Sequence, residues 1–570
     1  GLLVHGNTLV LCGGEADHIL LTADDQWFLV EGAEGLAITT PLDFSRTLAT
    51  IHADGLYIRP DQRVPDPDRI ADLAVTLAVA EATGVAGWCL RTATDYAKTR
   101  EQFGRPIGSF QAVKHLCADM LCRLEQAVAL AWDAARAYAD GPAQHAVATA
   151  AAAAVAFDAA VDNAKDCVQI LGGIGFTWEH DAHLYLRRAI ALRQLFGGGP
   201  TWRRRTARIA LAGTRRDLTV HIAADRTEIR ATVRKIAALP EQEHRAALAE
   251  TGYLTPHWPK PYGTAATPAE QLAIDEELAA AGIHRPDLVI GGWAAPTILR
   301  HGTPEQCARF IAPTLRGDIT WCQLFSEPEA GSDLASLRTR AERVPDGWRL
   351  SGQKVWTSLA TMANWAICLA RTDPAAPKHR GISYFLVDMR GKGIDIRPLR
   401  EITGDAVFNE VFLDNVFVPA DCLVGPENGG WQLARTTLAN ERVAMSRGGT
   451  LGEAVERLLA MASDDSDHER LGALTAQGMA TSALDLRTTI RALDGRGPGP
   501  ESSVRKLIGV EHRQAVAEAT LDLLGQTGAT QSDATHEFLL TRCLTIAGGT
   551  TQVLRTLAAE HLLGLPREPR

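Results

Sequence analysis

The stretch Trp321–Asp333 reads W-C-Q-L-F-S-E-P-E-A-G-S-D, a short strand-like run that leads into a turn of small residues. Gly331 can take backbone angles that a Cβ forbids, and with Ser332 it lets a ligand approach the main chain closely. Exposed N–H groups in such a turn, with the hydroxyls of Ser326 and Ser332, form a cradle suited to a pyrophosphate or a flavin. Taken alone, the same residues would also make an ordinary polar hairpin turn, so the surroundings decide between the two.

From Trp321 to about Pro426 short strand-like runs succeed one another, such as Trp348–Leu350, Ala366–Ala370 and Val411–Val418. Turns at Asp346-Gly347 and Gly391–Gly393 separate them. On either side the apolar period is helical. Residues 214–320 precede the strands, broken by W-P-K-P-Y-G at Trp258–Gly263, and a helical stretch runs from Trp431 to the end apart from the loop Asp494–Glu501.

The earlier part of the chain repeats part of this order. Residues 1–65 alternate apolar and polar in short runs, for example His18–Thr22 and Trp27–Val30, as an antiparallel sheet does. From Ile70 to about Ala212 the period is that of a helix bundle, with Ala-rich stretches at Ala127–Ala139 and Ala146–Ala164. A turn at Gly172–Gly175 interrupts it. The expected fold is mainly α with a β domain, an α-β-α unit present twice with the first copy lacking its leading helices. Its parts are a remnant β domain (1–65), a helical bundle (66–213), a helical domain (214–320), a middle β domain (321–430) and a second helical bundle (431–570). Such a repeat makes the chain a fused pseudo-dimer.

At 570 residues the chain is too long for one core. A content of 46% hydrophobic and 22% charged residues is that of a soluble globular protein. A net charge of −10 argues against nucleic acid or an anionic membrane as the main partner. No uninterrupted apolar run reaches the roughly 18–20 residues of a membrane span, Ala148–Ala160 coming closest. Ten cysteines without C-x-x-C pairs or metal-ligand spacing fit reduced thiols in a cytoplasmic protein and give no metal site. Gly1 lies just before a strand-like run, so a missing N-terminal stretch is expected.

The second half resembles an acyl-CoA dehydrogenase along nearly its whole length. It carries Q-L-F-S-E-P-E-A-G-S-D at 323–333, G-Q-K-V-W-T-S at 352–358, I-T-G-D-A-V-F-N-E-V-F-L-D-N-V-F-V-P at 402–419 and L-A-N-E-R-V-A at 438–444. The first half resembles the C-terminal part of the same family, with R-E-Q-F-G-R-P-I-G-S-F-Q at 100–111 and Q-I-L-G-G-I-G-F-T at 169–177. Two-module members of this kind occur in actinobacteria, some acting on steroid side-chain CoA thioesters. The resemblance implies a helical bundle, a small β-barrel-like domain and a second four-helix bundle. It also implies α,β-desaturation of an acyl-CoA thioester, with FAD as hydride acceptor and an electron-transferring flavoprotein as its partner. A homodimer would mimic the family's tetramer. An oxidase passing electrons to oxygen, and a nucleic-acid-binding relative of the fold, are the alternatives; the acidic balance speaks against the second.

The resemblance also assigns roles. Glu441, in the helical run Trp431–Arg447, is the expected α-proton base, because desolvation in a dry pocket can lift a glutamate from about 4.3 toward 6–7. The other position used by the family, near the C-terminus, is taken here by Gly548 in I-A-G-G-T. Gly548 can still donate its N–H to the thioester carbonyl, and the volume freed there suits a bulky or α-branched acyl group. Arg442, Asn440 and Ser332 complete the substrate side.

For FAD, Gln323, Phe325, Ser326, Gly331 and Ser332 match the isoalloxazine and pyrophosphate region. Trp356, Thr357 and Ser358 would lie against the ring, and Thr550 and Gln552 match later flavin contacts. The second half lacks the two elements that in the family come from a neighbouring subunit and clamp the nucleotide. The first half supplies both: Arg100, Phe103 and Gln111, then Gln169, Gly172 and Gly173. The first half in turn lacks the S-E-P-x-A-G-S-D signature, and its base turn reads F-G-G-G-P at Phe196–Pro200. One FAD per chain, between the halves, is the expectation.

Overall fold

The computed structural model describes residues 2–4, 7–11, 17–23, 26–31, 36–52, 56–218, 226–446, 452–463, 466–493 and 502–568. The chain is mainly helical with a β domain. At the N-terminal end, β1 (Leu2–Val4) pairs with β7 (Leu56–Ile58). β2 (Asn7–Leu11) and β5 (Leu36–Thr39) flank β6 (Leu48–His52), and β3 (His18–Ala23) pairs with β4 (Gln26–Glu31); all these pairs are antiparallel.

A bundle follows, made of α1 (Pro67–Thr99), α2 (Gln111–Ala137), α3 (Pro142–Leu171), α4 (Ala182–Leu195) and α5 (Gly198–Leu211). Between α1 and α2 lies a two-strand clip, β8 (Glu101–Gln102) with β9 (Arg105–Pro106). Pro67 and Pro142 sit at the first turns of their helices, where a missing N–H is harmless. The alanines of α3 let neighbouring helices approach it closely, and they are almost all buried. Pro67–Thr99 and Pro142–Phe176 are long and apolar enough to cross a membrane by length and composition. Neither is an uninterrupted apolar run: scattered polar residues break both, without lowering the mean hydropathy far. In the fold both lie in the bundle, with 56% and 78% of the apolar window buried.

The second half opens with α6 (Thr227–Ala237), α7 (Glu241–Glu250), α8 (Pro268–Ala280), α9 (Gly291–His301) and α10 (Pro304–Arg316). Thr267 with Glu270, and Thr303 with Gln306, form capping boxes that start α8 and α10. The β domain is one eight-stranded sheet. Its strands are β10 (Trp321–Leu324), β11 (Arg340–Val344), β12 (Gly347–Ser358), β13 (Trp365–Arg371), β14 (Ile382–Asp388), β15 (Ile394–Pro398), β16 (Phe408–Pro419) and β17 (Leu423–Val424). The last bundle comprises α11 (Gly430–Ser446), α12 (Glu453–Met461), α13 (His468–Leu493), α14 (Ser502–Leu524), α15 (Asp533–Thr541) and α16 (Thr551–His561).

The two bundles share a hydrophobic core: Ala476, Ala480, Leu484, Val504 and Ala558 pack with the buried residues of α1, α2 and α3. Polar contacts rim this junction. Arg203 bonds Glu469 at 2.6 Å, Arg215 bonds Glu456 at 2.7 Å, and Arg487 pairs with Glu125.

Candidate active site

A cavity of about 1890 Å³ opens among α9, the β domain, α11, the start of α14 and α16. A site for one small ligand measures about 300–1,000 Å³, so this one has room for two. Trp321–Asp333 forms one wall. β10 pairs in parallel with β13, Trp321 opposite Trp365 and Leu324 opposite Cys368, and delivers the turn to the rim of the sheet. Gln323, Phe325, Ser326, Gly331 and Ser332 all line the cavity. A Cβ at Gly331 would meet nothing within 4 Å, so the space over this backbone is open.

A buried ion pair sets that turn. Lys354, fully buried, donates to the Glu327 carboxylate at 2.8 Å and to the carbonyls of Phe325 (3.1 Å) and Leu369 (2.8 Å). The amides of Arg338 and Thr339 donate to the same carboxylate at 2.6 and 2.9 Å. Burial pushes the Glu327 carboxyl up, but Lys354 and these donors outweigh it and hold it below the usual carboxylate range. Removing one partner of such a pair costs about 3–5 kcal/mol.

The second wall is β12. The Val355 N–H donates to the Ser326 carbonyl at 2.9 Å, tying strand to turn. Trp356 then takes φ 59° within a register shift between Lys354 and Thr357. A bulky residue in that region stores about 1–3 kcal/mol of strain and persists only where its surroundings impose it, typically at ligand sites. The result is an indole 61% exposed, edge-on to Phe408 at 6.1 Å. Trp356, Phe408 and Ser358 line the cavity. Thr357 does not; it is fully buried, its hydroxyl without a partner. The irregularity at Trp356 leaves Val355, Trp356 and Ser358 on the cavity and turns Thr357 into the interior.

The third wall is the turn Ile546–Thr550, every residue of which lines the cavity. Gly548 and Gly549 have φ 63° and 97°, conformations that disfavour a Cβ. Thr550 caps α16, its Oγ1 accepting from the Val553 N–H at 3.3 Å. The Gly548 N–H donates to no acceptor among the described residues, which leaves a free donor on the wall.

α11 closes the site with Trp431, Arg435 and Leu438. The buried Thr437 fixes this helix through Thr297 on α9 (2.8 Å) and Tyr384 (3.1 Å). Asn440 donates along its own helix to the Thr436 carbonyl at 2.9 Å and is not part of the cavity wall. Glu441 and Arg442 belong to α11, and their side chains lie outside the described residues.

Residues 216–318 match the N-terminal domain of acyl-CoA dehydrogenases and 322–416 the middle domain, while the C-terminal domain matches twice, at 75–211 and 428–563. Over 569 residues the chain is 58% identical to acyl-CoA dehydrogenase FadE34 of Mycobacterium tuberculosis, covering 98% of this chain and 80% of that protein. The chain belongs to the acyl-CoA dehydrogenase family. Acyl-CoA dehydrogenase IpdE1 of the same organism is 37% identical over 365 residues, 58% of this chain and 92% of the relative. A solved structure, the Tcur3481-Tcur3483 steroid ACAD, superposes with a TM-score of 0.51 at 29% identity, covering 65% of this chain and 98% of that one. The protein is therefore an oxidoreductase of a family that works with FAD. The open cradle at Gly331, the exposed indole of Trp356 and a cavity large enough for two ligands fit a flavin beside an acyl-CoA.

In this acyl-CoA dehydrogenase the six first-half residues assigned to the nucleotide, Arg100, Phe103, Gln111, Gln169, Gly172 and Gly173, are all exposed. None lines the cavity, nor does the exposed Gln552. The first half does touch the cavity's own helix. His115 Nε2 lies 3.2 Å from the Gln552 carbonyl, and since that acceptor carries no hydrogen, Nε2 does. Burial holds this imidazole below its usual pKa. Lys114, 2% exposed, pairs with Glu560 at 2.5 Å, and Asp119 pairs with Arg555 at 2.7 Å. Glu560 and Arg567, 3.7 Å apart, both line the cavity, and Arg105 comes within 3.8 Å of Glu568. The start of α2 thus abuts α16 at one end of the site, and Arg105 reaches the segment that follows α16.

The corresponding turn of the first half is closed. Asp158 pairs with Arg193 (3.3 Å) and Arg203 (2.5 Å), and a Cβ on Gly199 would collide with that carboxylate. Glu560, Lys114 and Lys506 escaped the sequence reading. The only signal was a lysine at an apolar position of a helix, and its partners lie far away in sequence.

Proposed function

We propose that this enzyme desaturates the α,β bond of a bulky or branched acyl-CoA thioester, of the steroid side-chain class, at one site per chain. The observation that carries the reading is the glycine turn at Gly548, which opens the wall and offers an unpartnered N–H. No carboxylate stands there. Among the described residues the cavity has one acidic side chain, Glu560, and it is engaged by Lys114 and Arg567. Glu441 on α11 is accordingly the base that takes the α-proton. The Gly548 N–H receives the negative charge that develops on the thioester oxygen. Arg442 orders the helix beside the substrate, and Ser332 on the opposing wall contacts it. FAD, when bound against Trp356 and Ser358, supplies the acceptor for the β-hydride.

The first half completes the nucleotide site through Arg100, Phe103, Gln111, Gln169 and the Gly172–Gly173 backbone, and carries no second active site. Electrons pass on to an electron-transferring flavoprotein; reoxidation by air at turnover rate would make the protein an oxidase instead. Two chains assemble as a homodimer with four modules. In support of the substrate class, a solved relative is described as a steroid ACAD. A panel of acyl-CoA thioesters followed by anaerobic flavin bleaching tests it. Bulky and steroid side-chain thioesters are expected to bleach the flavin fastest, and a preference for short straight chains would overturn this substrate class.

A further inference from the structure

Lys506 lies in the second turn of α14 and is 1% exposed. Its Nζ donates to the carbonyl oxygens of Ala547 and Gly549, the latter at 3.1 Å. These carbonyls flank Gly548, whose free N–H sits on the cavity wall. An ammonium removed from water is costly unless its hydrogens are all directed to acceptors. Here two of those acceptors are the two ends of one tight turn, so the cation and the turn hold each other in place.

The first half provides an internal comparison. α3 ends at Gly172 as α14 ends at Gly525, and the residue in the same register as Lys506 is Ala153. The equivalent turn there is held differently, by Trp202 Nε1 donating to the Phe196 carbonyl at 2.6 Å and by the Asp158 ion pairs. The buried lysine accompanies only the half that carries the flavin signature.

We propose that Lys506 is a positioning residue for the dehydrogenation. It fixes the Ala547–Gly549 turn so that the Gly548 N–H meets the thioester carbonyl, and its charge adds positive potential beneath the developing enolate oxygen. The inference rests on the reading that an acyl-CoA occupies this cavity. Both carbonyls of the turn are engaged by Lys506, so their negative ends are offset by its charge next to the Gly548 N–H.

The test uses the FAD-loaded full chain with acetoacetyl-CoA as probe, whose acidic α-proton lets enolate formation be read by absorbance across pH. Lys506→Met is expected to keep its FAD content and melting temperature. With the acyl-CoA that bleaches the wild-type flavin fastest, its kcat should fall about 10–100-fold with KM changed less than about threefold, somewhat below the loss of a direct oxyanion donor. Enolisation of bound acetoacetyl-CoA should need a pH about one unit higher, a tenfold weaker stabilisation of the anion. If Lys506→Met loses its flavin or melts early, Lys506→Gln, which keeps donors without charge, replaces it and should show the same enolisation shift. A folded, flavin-loaded variant with unchanged enolisation and kcat overturns the proposal. So does a loss of activity in both variants that follows loss of FAD. Wild-type protein that neither enolises the probe nor is bleached by any acyl-CoA would instead defeat the underlying reading.

Discussion

Glu441→Gln is expected to lower kcat by about 10³–10⁴, the upper range for removal of a general base, while FAD content and acyl-CoA affinity stay near wild type. The amide matches the carboxylate in shape and cannot take a proton at neutral pH, so the effect isolates the proton chemistry. α11 should remain in place, because Thr437 holds it through Thr297 and Tyr384. Stopped-flow bleaching with a good substrate reads the result. With Glu441 as the base, the rate should rise with pH as its carboxyl ionises and then level, since only the deprotonated form abstracts. Retention of more than about a tenth of wild-type kcat would move the base elsewhere, and Glu560 would then be the acid to mutate.

Gly472→Ala is the second large expected effect, and it acts on the junction of the halves. A Cβ at Gly472 would land on the Arg203 carbonyl of α5, with the Ala207 amide behind it at 3.1 Å. Backbone cannot swing aside as a flexible side chain can, so α13 and α5 must separate. Overpacking of this kind costs about 1–3 kcal/mol or more, and it loosens the Arg203–Glu469 pair. The melting temperature should fall by several degrees, at roughly 2–4 °C per kcal/mol for domains of this size. FAD affinity should fall with it. Gly509→Ala serves as control: a Cβ there meets nothing within 4 Å, and in a helix interior alanine is favoured over glycine by about 0.5–1 kcal/mol.

Much of this was legible in the chain. Helical and strand periods differ, so the succession of bundle, sheet and bundle could be read directly, and the glycine and serine pattern of Trp321–Asp333 located a wall of the cavity. Residues of one segment that line the same cavity, Gln323 with Phe325 and Ser326, were likewise recoverable. What escaped depends on register and on distance. Thr357 and Ser358 are adjacent and both polar, and only the bulge at Trp356 settles which of them faces the cavity. Lys114 and Glu560 are 446 positions apart, and Lys506 acts on a turn 41 positions later. Nothing local marks either lysine as more than a polar intrusion on an apolar face. The exposure of Phe103 and the first-half glycines follows from which bundle face is left bare, and composition carries no trace of that.

One flavin per chain, held in the second half and completed by the first, is the expected stoichiometry. It is tested most directly by the FAD-to-protein ratio of the purified full chain, from flavin absorbance after denaturation, in wild type and in Arg100→Ala. Wild type should hold one FAD per chain. Arg100→Ala should bind FAD with a Kd at least about tenfold weaker, the scale of one charge-assisted phosphate contact. Two flavins per chain, or an Arg100→Ala protein with undiminished FAD affinity, would contradict it.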